Sequence, residues 1–231
     1  MKKDVIIACD FKQKEDLFAF LKPFSALKLY PFLKIGMELF YKEGPQLIRL
    51  LKEEGYRIFL DLKLHDIPNT VEKAMRNLGD LGVDMVNVHA AGGIAMMKAA
   101  KKGLKEGKNG QHTKLIAVTV LTSLSEEILK EELSIEKEVS EVVEKYAQNA
   151  ALAGLDGVVC SALEAPMMAR MNLLSVTPGI RFKEDGNNDQ KRVATPEDAK
   201  RFKADFIVVG RSITAHSHPV EAYLRCVKEF C

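Results

Sequence analysis

Asp61, Lys63 and Asp66 place two acids and a base within six consecutive residues, in the stretch DLKLHDIPNT at 61–70. The hydrophobic run 56–60 before it reads as a strand, and a helix opens near Pro68 and Asn69. Side chains alternate faces along a strand, so Asp61 and Lys63 share one face while Leu62 and Leu64 take the other. Asp66 follows where the chain leaves the strand. An ammonium flanked by carboxylates is favoured in its charged form, which suits it to charge stabilisation and proton transfer. The bland alternative is a buried ion pair that holds a loop. Two carboxylates beside one ammonium are costly to desolvate and a poor choice for stability alone, so the spacing favours chemistry.

The rest of the chain reads as the frame for this stretch. Short apolar runs at 5–9, 32–37, 83–88, 115–121, 157–160, 173–176 and 206–209, with the central run, give eight strands. Helical periods at 15–29, 45–54, 69–81, 93–105, 163–171 and 219–230 alternate with them. The polar region 125–153 reads as two helices split near Ser134, and Thr195 caps a further helix with Pro196 in its first turn. Eight strand-then-helix units of β-branched, apolar strands argue a parallel sheet in one domain spanning 1–231. A single-domain (β/α)8 TIM barrel is the expected architecture, although a doubly wound sheet fits the same pattern.

In such a barrel the site lies at the C-terminal ends of the strands. Asp10, Lys34, Asp61, Lys63, Asp66, His89, Thr122, Arg181, Gln190 and Arg211 all fall there. Pro178-Gly179 and Gly210-Arg211 follow the seventh and eighth strands, where this fold holds phosphate with backbone N–H groups and a cation. Arg211 can offer a forked guanidinium to a phosphate; the alternative is a plain surface cation. His89 with nearby Asp84 resembles half a metal site, and His216 and His218 are two apart, but no third ligand stands at a sensible spacing. These histidines read as core or loop residues, Met167, Met168 and Met171 as packing, and the mixed charges of 126–144 as a solvated helix face.

Composition narrows the partners. The net charge of the 231 residues is +2, which gives no electrostatic case for nucleic acid. No apolar run approaches a membrane span. The N-terminal residues lead directly into a strand and leave no room for a signal peptide. Cys9, Cys160, Cys226 and Cys231 form no C-x-x-C pair, as expected of reduced thiols in a cytoplasmic protein.

The segment DLKLHDIPNT closely resembles the signature of the orotidine 5'-phosphate decarboxylase family. The resemblance covers essentially the whole chain: Cys9-Asp10, Lys34, VTVLTSL with Thr122, TPGIR at 177–181 and VVGRSIT at 208–214 all match. The D-x-K-x-x-D core is shared with a sugar-phosphate decarboxylase of the same superfamily, whereas the HDIPNT extension with the other pieces is highly specific. The resemblance implies decarboxylation of orotidine 5'-phosphate to UMP with no metal and no organic cofactor. It implies a charged network of Lys34, Asp61, Lys63 and Asp66, with Lys63 as proton donor and Asp66 reaching into the site of a homodimer partner. It further implies that Asp10 and Lys34 hold ribose hydroxyls, that Thr122 lies by the pyrimidine, and that Arg181, Gln190, Gly210 and Arg211 surround the phosphate. Ile67 and Thr70 join the substrate contacts on the same ground. The rivals are a magnesium-dependent sugar-phosphate decarboxylase or a phosphosugar epimerase on the same barrel and, from another class, a silent nucleotide-binding protein.

Overall fold

The structure is a computed structural model and describes residues 3–185 and 193–231. Eight parallel strands close into a barrel in sequence order: β1 (Asp4–Ala8), β2 (Phe32–Gly36), β3 (Arg57–Leu64), β4 (Met85–His89), β5 (Lys114–Val118), β6 (Gly157–Val159), β7 (Leu174–Ile180) and β8 (Phe206–Val209). The pairing of β1 with β8, from Asp4↔Phe206 to Ile7↔Val209, closes the ring and rules out an open, doubly wound sheet.

Each strand is buried on both faces. The inward positions of alternate residues, including Ile6, Phe32, Phe59, Met85, Ile116, Val176, Phe206 and Val208, fill the barrel interior. The outward positions pack under the helices in a second, larger core. The period of two thus separates an inner and an outer set on every strand. Continued two residues up the barrel, the inward rows that start at Phe32, Phe59 and Met85 reach Lys34, Asp61 and Asn87. All three are buried polar groups.

The lower rim is stitched by a recurring device. Asp84, Asp156 and Asp205 each stand just before an even-numbered strand. Each carboxylate accepts a backbone N–H from the preceding strand: Ile58 at 2.8 Å, Leu115 at 2.9 Å and Ser175 at 2.9 Å. Asp84 also takes the Lys52 ammonium at 2.7 Å. It therefore lies at the opposite end of β4 from His89, and the half metal site suggested by their closeness in sequence does not exist.

The helices follow the expected order: α1 (Lys14–Ala26), α2 (Met37–Glu53), α3 (Pro68–Gly79), α4 (Gly93–Glu106), α5 (Glu126–Glu131), α6 (Val139–Leu152), α7 (Ala165–Arg170), α8 (Pro196–Arg201), α9 (Arg211–Thr214) and α10 (Pro219–Phe230). The split near Ser134 is real, and Ser134 itself has φ +55°. The Thr195 hydroxyl accepts the Asp198 N–H at 3.0 Å, capping α8 as expected. Several boundaries differ from expectation: β7, read as 173–176, runs on through Pro178-Gly179 to Ile180. Helix α2 begins directly after Gly36 and is broken at Gly44, with φ +67°, so the helix read from Pro45 onward is only its second part. Strand β5 stops at Val118, where the Thr119 hydroxyl and backbone N–H both bond the Val159 carbonyl, at 2.9 and 3.3 Å. The four-residue α9 is too short to leave a periodic signal. Cys9, Cys160 and Cys226 are buried and Cys231 is exposed, and no helix among the described residues is long and apolar enough to cross a membrane.

Candidate active site

Four charged side chains from three strand ends form one continuous chain across the barrel mouth. Asp10, two residues past β1, accepts from the Lys34 ammonium at 2.8 Å. Lys34, on β2, lies 3.4 Å from Asp61 Oδ2 on β3. The other oxygen of Asp61 accepts from Lys63 Nζ at 2.7 Å. Signs alternate along the whole chain, so each of the two buried charges, Lys34 and Asp61, has an opposite charge on both sides. That arrangement offsets a desolvation penalty that a lone buried ion could not sustain. Burial pulls the Lys34 ammonium toward neutrality, but the Asp61 and Asp10 carboxylates outweigh it and raise its pKa above the usual lysine value. Burial likewise favours neutral Asp61, while the Lys34 and Lys63 ammoniums, with hydrogen bonds from Lys63 and Asn87, hold it below the usual carboxylate range. Gly36 leaves room for the first pair: a Cβ there would stand 3.2 Å from Asp10 Oδ1 and 3.3 Å from Lys34 Nζ.

Asp61 and Lys63 do share a face, but not for the reason strand alternation gives. The register of β3 on β4 shifts between Leu60↔Val86 and Leu64↔Val88. Three residues of β3 therefore face Asn87 alone. Lys63 sits in the left-handed region at φ +51°, a conformation that costs a side-chain-bearing residue roughly 1–2 kcal/mol. The bulge folds Lys63 back over Asp61, which a regular strand would not do. Asn87 was not singled out in the sequence; the available signal was a lone amide at an inward position of the apolar run MVNVH.

A cavity of about 850 Å³ opens above this network. Its floor is apolar, with Ala8, Phe59, Val118, Val159, Val176 and Val208. Its lining carries Asp10, Lys34, Asp61 and Lys63 from β1 to β3, Thr122 after β5, and Arg181, Gly210 and Arg211 from the ends of β7 and β8. Arg181 and Arg211 stand at the ends of β7 and β8. Gly179, at φ +76°, lets β7 turn through Pro178-Gly179 to deliver Arg181. The arrangement suits a ligand with an anionic group for the arginines and a reacting centre for Lys63, held over an apolar floor.

Three expected residues lie elsewhere. Asp66, Ile67 and Thr70 do not line this cavity. They belong to the exposed stretch 65–70 that runs from β3 into α3, and Ile67 is 65% exposed. The Asp66 carboxylate accepts the N–H of Ile67 at 2.6 Å. Gln190 lies outside the described residues. His89 ends β4 with its ring 5.6 Å from that of His65; burial first, then His65 and Lys63, hold its imidazole below the usual histidine range. No group of three His, Cys, Asp or Glu side chains suited to a metal ion occurs among the described residues.

Comparison with known proteins agrees with the motifs. The family model described as Orotidine 5'-phosphate decarboxylase / HUMPS family matches residues 3–226. An orotidine 5'-phosphate decarboxylase of Bacillus cereus (strain AH187) is 55% identical over 228 residues, 96% of this chain and 95% of that protein. The crystal structure of orotidine 5'-phosphate decarboxylase from Lactobacillus acidophilus superposes with a TM-score of 0.85 at 41% identity, covering 99% of both chains. The enzyme of that name from Pyrococcus horikoshii OT3, at 24% identity and a TM-score of 0.73 over 98% of both chains, shares the fold. With a matched barrel, matched motifs and relatives aligned end to end, the chain belongs to the orotidine 5'-phosphate decarboxylase / HUMPS family.

Proposed function

We propose that this protein decarboxylates orotidine 5'-phosphate to UMP in pyrimidine biosynthesis, in the cytoplasm, without metal or organic cofactor, and that Lys63 is the proton donor. The observation that carries this reading is the Asp10–Lys34–Asp61–Lys63 chain lining one cavity together with Arg181 and Arg211. The bond from the pyrimidine to the carboxylate breaks, CO2 departs, and the electron pair stays on the ring carbon. No ring carbonyl readily delocalises that pair. The Lys63 ammonium stabilises it by charge and then transfers a proton to it, and solvent reprotonates the lysine afterwards.

The magnitudes show why the remaining contacts matter. An ammonium about 4 Å from a full carbanion is worth roughly 4 kcal/mol at an effective dielectric near 20. Enzymes commonly lower barriers by about 8–23 kcal/mol, so Lys63 alone is insufficient. In this reading Asp10 and Lys34 hold the ribose hydroxyls, Thr122 lies by the pyrimidine, and Arg181, Gln190, Gly210 and Arg211 bind the phosphate. That remote binding energy fixes the ring over Lys63. Asp66, Ile67 and Thr70, exposed and outside their own cavity, serve the site of the second subunit in a homodimer. The test is the loss of orotidine 5'-phosphate absorbance on adding purified protein with a chelator present. Turnover under chelation supports the reading. Activity that disappears on exhaustive chelation and returns with magnesium would point to the sugar-phosphate branch of the superfamily.

A further inference from the structure

The residue that connects Asp61 to Lys63 through the framework is Asn87, on β4. It is 1% exposed. Its Nδ2 donates to Asp61 Oδ1 at 2.7 Å. Its Oδ1 accepts the backbone N–H of Lys63 at 2.8 Å. The orientation of the amide is unambiguous, since Lys63 N–H can only donate and the Asp61 carboxylate can only accept. The shifted register leaves Asn87 facing Asp61, Leu62 and Lys63 by itself. One side chain therefore holds the left-handed backbone at Lys63 and the carboxylate that Lys63 binds. Few side chains can do both. The task needs a neutral donor and an acceptor on one short, planar head. An ionised aspartate lacks the donor, and an aliphatic residue lacks both.

We propose that Asn87 is a positioning residue for decarboxylation: it locks the bulge that presents Lys63 and fixes the rotation of Asp61, so that both meet the reacting carbon in one geometry. This rests on the function proposed above. Asn87 does not line the cavity and acts through its two partners. Its loss is therefore a loss of alignment. Misplacement of a reacting group by about 1 Å can cost on the order of a hundredfold in rate.

The test compares wild type, Asn87→Leu and Asn87→Asp for kcat, KM and the pH dependence of kcat, with melting temperature alongside. Asn87→Leu should lower kcat about a hundredfold while KM stays within about threefold, the pattern of an interaction that matters in the transition state. Asn87→Asp keeps the shape and carries the decision if the leucine variant fails to fold. Above its pKa the introduced carboxyl repels Asp61. When protonated it again donates to Asp61 and accepts from Lys63, since two adjacent carboxyls share one proton. Its kcat relative to wild type should therefore rise at least about tenfold as pH falls from roughly 8 to roughly 5. A packing role would not move that profile. Overturning the inference takes an Asn87→Asp enzyme whose kcat and pH profile track wild type within about threefold, even with a lowered melting temperature. If the wild-type chain itself fails to turn over orotidine 5'-phosphate, the proposed function falls; if it succeeds and Asn87→Asp tracks it, only the positioning role falls.

Discussion

Truncating Lys63 to alanine separates chemistry from architecture at this site. The substitution removes the ammonium that Asp61 holds at 2.7 Å. Charge stabilisation of a carbanion about 4 Å away, roughly 4 kcal/mol, converts to about three powers of ten in rate at 1.36 kcal/mol per decade. Loss of a positioned general acid contributes a further factor of about 10²–10⁴. Because the two effects share one group they do not simply multiply, and the expected loss in kcat is at least about 10⁴-fold. The protein should nonetheless fold. Asp61 keeps Lys34 at 3.4 Å and the Asn87 amide at 2.7 Å, so its charge remains compensated. The Lys63 side chain is one-quarter exposed, and a partly exposed ion pair is worth about 1 kcal/mol or less. That corresponds to a fall of about 2–4 °C in melting temperature for a chain of this size. The assay follows orotidine 5'-phosphate absorbance beside a thermal melt. Product formation within about tenfold of wild type would remove Lys63 from the mechanism, because neither the charge nor the proton could then be essential.

Other perturbations address the rest of the site. Arg211→Ala should weaken phosphate binding and lower kcat/KM together, since remote binding energy acts at the reacting carbon; an unchanged kcat/KM for the phosphorylated substrate would free Arg211 from that role. Asp61 has a depressed pKa, so its contribution to stability is complete above the ordinary aspartate value of about 4 and is lost as pH falls through its lower folded value. Asp61→Asn should therefore flatten the acid limb of a plot of melting temperature against pH, and an acid limb identical to wild type would contradict the assigned network. Lys63→Ala and Asp66→Ala, each inactive alone, should regain about one quarter of wild-type activity when their dimers are dissociated, mixed equally and reassociated, because half the dimers are mixed and each of those has one intact site. No recovery despite demonstrated subunit exchange would place Asp66 in the service of its own barrel.

The architecture was legible in the sequence because parallel strands buried on both faces leave continuous apolar runs, and eight of these alternate with helical periods. Closure was not legible. It depends on Asp4 meeting Phe206 across most of the chain, a contact with no local signature. The same division runs through the site. Asp10, Lys34, Asp61, Lys63, Arg181 and Arg211 could be read out because each is an ionisable residue within or following an apolar run, and the barrel brings these runs together. The geometry between them could not. Regular alternation places Asp61 and Lys63 on one face, yet consecutive same-face residues of a flat strand stand nearly 7 Å apart along it. A 2.7 Å contact between their side chains comes instead with a bulge and a left-handed lysine. Neither the bulge nor the asparagine that completes it announces itself by charge or period. A buried asparagine at an inward strand position is the residual clue. It breaks the apolar row that runs up the barrel from Met85, and a row of that kind tolerates an amide only where both ends of the amide are satisfied. The buried amide in an otherwise apolar inward row therefore marks where the framework grips the chemistry, and the obvious charges mark where the chemistry occurs.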